Sequence, residues 1–227
     1  MRSFRKSKIA LGLIGGLLLL ILLNVIGQGW NTLDRLTLVE HERDGWQRAH
    51  AIIEQLNLRE GSRVVDLGCG AGYFALKLSA AVGVKGNVQA VDILRLPLVF
   101  LWIRAHRAGV HDLFHNNLET VLGEPDDPHI SGTVDAVLVA NTYHELARPQ
   151  IVLSHLRNAL RSGGHLVIAD RGPQSANAEH AIDPAIVEAE LRRDGFGIVS
   201  RQDHFLDQPD EGPWWLIVAV PIMGHKL

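Results

Sequence analysis

The chain has 227 residues and a net charge of −3, room for one mid-sized domain and an appendage. It lacks the basic surplus that would hold a nucleic-acid backbone, so nucleic acid is not an expected partner. Its single cysteine, Cys69, cannot form an intrachain disulfide. The twelve histidines are scattered, and His111 and His115 stand four apart with no carboxylate or third histidine to complete a set, so no metal is expected.

At the N-terminus, Arg2, Arg5, Lys6 and Lys8 precede an uncharged stretch that lasts to Leu33. Its densest part, residues 9–26, is 18 residues long. As a helix at ~1.5 Å per residue it measures about 27 Å, close to the ~30 Å of a hydrocarbon core. No soluble domain needs the run LLLLILL at residues 17–23 ahead of its first strand. Residues 1–30 therefore read as a basic flank and a single-pass membrane anchor, and residues 31–227 as the domain. The alternative is a cleaved signal peptide, since Gly27-Gln28-Gly29 loosely resembles a small-x-small site. The run is long for a signal, and Asn24 and Gln28 spoil the site, so the anchor is the expectation.

Residues 63–79, RVVDLGCGAGYFALKLS, are the most informative in the chain. Val64, Val65 and Leu67 predict a short buried strand carrying Asp66 near its end. Gly68, Gly70 and Gly72 follow at alternate positions, and an amphipathic helix starts at once. Glycines permit positive φ and close approach of a ligand to the backbone. The helix N-terminus adds unpaired N–H groups and a positive dipole end. A dinucleotide fingerprint would read G-x-G-x-x-G, but the third glycine comes one residue early and Tyr73 fills the last position. No Gly-Lys-Ser/Thr follows, so the phosphate loop of nucleotide hydrolases is absent too.

A second strand is expected at residues 88–93, VQAVDI, ending in Asp92 and Ile93. A carboxylate about 20 residues beyond the glycine loop suits a ribose diol, because it accepts from both hydroxyls. Residues 96–103, LPLVFLWI, are apolar nearly all round. A helix resting on a sheet needs only one apolar stripe, so this one is either deeply buried or turned to a bilayer or a hydrophobic acceptor. A third strand leads to the acidic turn Gly123-Glu124-Pro125-Asp126-Asp127. Residues 134–141, VDAVLVAN, predict a central parallel strand, followed by Thr142, Tyr143, His144 and Glu145. Residues 160–170 read as a helix end, a Gly163-Gly164 turn and a fifth strand. A helix is expected over 184–194, then a hairpin with strands near 198–205 and 214–221 around the Asp-, Pro- and Gly-rich segment 207–213.

The D-x-G-x-G-x-G run, Asp92 and the segment LRSGGHLVIAD together resemble the class I S-adenosylmethionine-dependent methyltransferases, with Ser162 where that family usually has Pro. The resemblance covers about residues 42–221 and lies nearest the small-molecule and quinone methyltransferase branch. It implies an α/β Rossmann-like, doubly wound sheet of seven strands with a C-terminal antiparallel hairpin. It also implies S-adenosylmethionine as cofactor and a small-molecule or lipid-like acceptor. The cofactor residues it implies are Asp66, Gly68, Cys69, Gly70, Gly72, Asp92, Ile93, Asn141 and, at the adenine, Asp126 or Asp127. Cys69 reads as a small residue packed beside the cofactor, not as a nucleophile.

His144 is the best candidate base, because its unperturbed pKa lies near neutrality; Tyr143 stands beside it. Arg43, Asp44, Trp46 and His180 are candidates for lining the acceptor site. A rival reading is a membrane-anchored protein that binds the cofactor without turnover, as a scaffold or sensor. Sidedness stays open: the basic flank predicts a cytoplasmic N-terminus and a far-side domain, whereas the cofactor is a cytosolic metabolite.

Overall fold

The computed structural model describes residues 2–110, 116–173, 180–208 and 212–222. His111 and His115 lie outside the described residues. The chain divides into two units, Met1–Arg43 and Asp44–Leu227.

The first unit is helical throughout, within α1 (Arg2–Trp46). The stretch from Gly16 is long and apolar enough to cross a membrane, with a mean hydropathy of 1.5. Every side chain from Leu17 to Leu23 stands 51–66% exposed, a contiguous apolar surface of a kind soluble monomers rarely show. Two of its polar side chains bond within the helix: Gln28 Nε2 donates to Asn24 Oδ1 at 2.8 Å, and Thr32 Oγ1 donates to the Gln28 carbonyl at 2.9 Å.

The second unit is a seven-stranded sheet with helices on both faces. Its elements are α2 (Ala49–Glu54), β1 (Arg63–Leu67), α3 (Tyr73–Val82), β2 (Asn87–Asp92), α4 (Arg95–Arg107), β3 (Leu118–Leu122), β4 (Val134–Ala140), α5 (Pro149–Ala159), β5 (Leu160–Arg171), α6 (Pro184–Arg193), β6 (Phe196–Gln208) and β7 (Gly212–Pro221). The strand order is β3-β2-β1-β4-β5-β7-β6, parallel from β3 through β5, with β7 antiparallel to both β5 and β6.

The apolar run of β4 is explained by this layering. Ala136 and Leu138 face the core shared with α2, α3 and α4, while Val137 and Val139 face the core shared with α5 and α6. A strand covered on both faces has no polar side to show. Leu138 is fully buried, and Leu138→Ala would cost about 2–5 kcal/mol. Buried polar groups staple the strand starts. Gln89 donates to the Ser131 carbonyl at 2.9 Å and accepts from its N–H at 2.7 Å.

Two expectations change. The fifth strand begins at Leu160 and absorbs Gly163-Gly164 as an irregularity, so that Val134 pairs with Leu160 but Ala136 with His165. Glycine is required there, since a Cβ on Gly164 would lie 2.8 Å from the Asp135 carbonyl oxygen. The apolar segment of α4 is half of each alternative: Leu98 and Leu101 are buried, while Leu96, Val99 and Trp102 stand at least half exposed.

Candidate functional site

The site lies beyond the carboxyl ends of β1, β2, β4 and β5, where the strand order reverses between β1 and β4. The loop after β1 is built from three left-handed glycines, with φ of +75° at Gly68, +53° at Gly70 and +94° at Gly72. Each has a different reason to be glycine. A Cβ on Gly68 would lie 2.2 Å from Thr142 Oγ1, and one on Gly72 would lie 2.2 Å from Leu101 Cδ1. A Cβ on Gly70 would meet nothing within 4 Å. Gly68 and Gly72 therefore serve the fold, and Gly70 opens onto free space.

Asp92 organises this side. Its Oδ2 accepts from the Gly70 N–H at 2.9 Å and its Oδ1 from the Leu94 N–H at 2.8 Å. A carboxylate has about four acceptor positions, so both oxygens keep capacity for a diol. A cavity of about 190 Å³ opens beside it, lined by Gly68, Asp92, Ile93, Glu124, Pro125, Thr142 and Glu145 among others. That is below the roughly 300–1,000 Å³ of whole-ligand pockets, so it encloses one end of a larger crevice.

Asp66 is buried under the loop. Cys69 is buried as well, and its thiol is pushed well above the ordinary range by burial and then by the charges of Asp66 and Asp92. It stays protonated and is no nucleophile. Asp126 and Asp127 are not brought to the cavity. Asp126 pairs with Arg148, and Asp127 faces His129 and His155 at 3.8 and 3.7 Å. Their neighbours Glu124 and Pro125 line it instead.

The β4–β5 side is built from side chains. Asn141 holds φ +54°, and its Oδ1 is buried without a hydrogen-bond partner. The turn Tyr143–Glu145 follows. Tyr143, expected beside His144 at the site, points elsewhere: its ring sits in the core with α5 and α6, and its hydroxyl donates to Glu190 Oε2 at 2.8 Å. Burial, with that bond, pushes its pKa up, so it is no acid or base near neutrality.

His144 does not line that cavity, and its side chain is only 4% exposed. Its Nδ1 lies 2.9 Å from Asp170 Oδ1, and its backbone N–H donates to Asp170 Oδ2 at 3.2 Å. Asp170 is fully buried at the end of β5 and also accepts from the Arg171 N–H at 2.8 Å. The bond to Asp170 raises the His144 pKa against the opposing effect of burial. His180 stacks edge-on against the His144 ring at 5.5 Å, and Glu145 Oε1 lies 3.8 Å from Nε2. Asp44 is engaged elsewhere, with the Tyr73 hydroxyl at 2.8 Å and Lys77 at 2.9 Å, and Trp46 packs edge-on against Trp214. Sequence reasoning missed Asp170. The signal was present, because a carboxylate ends an apolar strand there just as Asp92 does.

The strand order, the antiparallel final hairpin and the three-glycine loop define the class I S-adenosylmethionine-dependent methyltransferase fold. Residues 65–168 match the family described as a methyltransferase domain. Among curated proteins, the chain is 32% identical over 144 residues to protein-L-isoaspartate O-methyltransferase 2 of Rhodopseudomonas palustris, covering 63% of this chain and 57% of the relative. It is 26% identical over 180 residues to the rRNA 2'-O-methyltransferase fibrillarin of Drosophila melanogaster, covering 74% of this chain and 47% of the relative. The chain thus spans only about half the length of these relatives. Among solved structures, a SAM-dependent methyltransferase from Aquifex aeolicus superposes with a TM-score of 0.67 at 24% identity, over 77% of this chain and 90% of that one. The [4+2]-cyclase SpnF superposes with a TM-score of 0.63 at 14% identity, over 78% and 82% of the two chains. These two likenesses establish fold alone; SpnF is a cyclase, so fold does not fix chemistry.

Proposed function

We propose that the protein transfers a methyl group from S-adenosylmethionine to a small-molecule or lipid-like acceptor, with no role for nucleic acid, from a domain anchored at a membrane by α1. The observation that carries this reading is Gly70: a left-handed residue with open space at its Cβ, tied to the carboxylate of Asp92. The residues present fit the cofactor. Asp66, Gly68, Cys69, Gly70 and Gly72 form the cradle, Asp92 and Ile93 take the ribose and adenine end, and the orphaned Asn141 Oδ1 has an acceptor to offer. When bound, the group supplies a methyl already activated on a sulfonium sulfur, so the protein mainly aligns reactants and excludes water.

His144 is read as the side chain that serves the acceptor. A carboxylate can only accept, so Asp170 draws the proton of a neutral imidazole to Nδ1 and leaves the lone pair on Nε2. Asp170 is a positioning residue, since it acts through that ring.

The test is titration of the full-length protein in detergent with S-adenosylmethionine, coupled to release of S-adenosylhomocysteine over a panel of small-molecule and lipid acceptors. Binding with release is expected. Binding with no release from any acceptor would favour the scaffold or sensor. The anchor is tested by carbonate extraction with sequencing of the mature N-terminus. The parent should stay in the membrane, and Leu19→Lys, costing about 2.5–3.5 kcal/mol of insertion, should weaken its retention. Recovery of a soluble chain starting near Trp30 would overturn the anchor.

A further inference from the structure

We propose that His144, Glu145 and His180 hold a divalent transition-metal ion of the zinc type at the acceptor side of the crevice. The inference rests on the methyltransferase reading and names how its acceptor is activated. His Nδ1 or Nε2 of both histidines and a carboxylate oxygen of Glu145 come together with all their ligand atoms within 4.8 Å of one another. His144 Nε2 and Glu145 Oε1 stand 3.8 Å apart, too far for a hydrogen bond. Two ligands at about 2.0–2.1 Å from a tetrahedral zinc lie roughly 3.4 Å from one another, so the pair needs only a few tenths of an ångström of closure.

The ring behind the site is already prepared. Metal-bound histidines hand their other N–H to a carboxylate, which fixes the tautomer and raises ligand basicity. Asp170, fully buried and 2.9 Å from His144 Nδ1, is that carboxylate. Among the described residues, the carboxylates of Asp170 and Glu145 lie against the His144 ring at 2.9 and 3.8 Å. Glu145 and His180 are exposed, which provides an entry path.

Two histidines and one carboxylate leave a fourth position open, as catalytic rather than structural zinc sites do. Glu145 also lines the cavity beside Asp92 and Thr142, so that position adjoins the cofactor crevice. The acceptor class follows: a hydroxyl or thiol that ionises on the metal. Its proton passes to water. Its electron pair forms the new bond to the methyl carbon, and the electrons of the breaking C–S bond stay on sulfur. No oxidant or reductant is needed. The sequence led to no expected metal; the set proposed here spans 36 residues of sequence (180 − 144 = 36).

The experiment uses the full-length protein in detergent, stripped with a chelator and titrated with Co²⁺, whose visible ligand-field bands report low coordination number; Zn²⁺ is then added as competitor. The expected result is one equivalent of Co²⁺, displaced by Zn²⁺. Glu145→Gln/His180→Ala should weaken binding at least tenfold, Asp170→Asn by about 10–100-fold, and the distant control His50→Ala not at all. Parent-like binding by the double variant, or no ligand-field band in the parent, would overturn the site. S-adenosylmethionine affinity is measured on the same metal-free sample of the parent. Failure of the parent to bind the cofactor would remove the methyltransferase reading while leaving the metal result standing, so the two failures are distinguishable.

Discussion

The two halves of the crevice are made of different materials. On the β1–β2 side the work is done by backbone: three left-handed glycines, and a carboxylate that accepts from two main-chain N–H groups. On the β4–β5 side it is done by side chains: His144 on Asp170, with Glu145 and His180 beside it. A backbone cradle is suited to a ligand whose shape never changes. A side-chain cluster is open to variation without disturbing the sheet. The proposed function accordingly reads the constant reactant onto the first half and the acceptor onto the second.

The largest effect is expected at Gly70. Gly70→Val places a β-branched side chain in the open space and in a backbone conformation that disfavours it, by about 1–2 kcal/mol from conformation alone. Cofactor binding should fall at least a hundredfold in calorimetric titration, with the fold kept. Gly68→Ala makes the contrast, because its Cβ collides with Thr142. It should lower thermal stability by about 1–3 kcal/mol. If Gly70→Val binds the cofactor like the parent, the backbone half is not the cofactor half.

An intermediate effect should separate the two acidic strand ends. Asp92→Ala is expected to weaken cofactor binding by about 1.5–3 kcal/mol, the range for hydrogen bonds to a charged group. Asp170→Asn should leave that affinity within about twofold and cut turnover by about ten- to a hundredfold, the same range read on the rate. Steady-state kinetics alongside titration checks both, and an exchange of the two phenotypes would invert the assignment of the halves.

The smallest effect is a chemical one. A free cysteine ionises at about 8.5, whereas burial and two carboxylates hold the Cys69 thiol above that. Alkylation at pH 8.5 should be far slower in the native protein than in denaturant, followed by mass spectrometry. Labelling at equal rates would show that the glycine loop opens freely.

How much of this was legible in the chain divides along the same line. Positive φ restricts residue choice at each position by itself, so Gly68, Gly70 and Gly72 announce their loop without reference to anything distant. Asp92 was legible for the same reason, as a carboxylate closing an apolar strand at a fixed distance from the glycines. The seven-stranded sheet with its antiparallel C-terminal hairpin followed from the motif's resemblance, and the structure bears it out. The His144–Asp170 pair was not legible. It exists because β4 and β5 run parallel with Ala140 opposite Ala169, which brings the ends of the two strands, 29 residues apart (169 − 140 = 29), side by side. Tyr143 illustrates the converse: its neighbour His144 turns to Asp170, while the turn Tyr143–Glu145 sends its own ring into the core with α5 and α6. Sequence by itself determined what each backbone position must permit. Only the tertiary structure decided which side chains meet, because that depends on strand register and on the direction each residue leaves its turn.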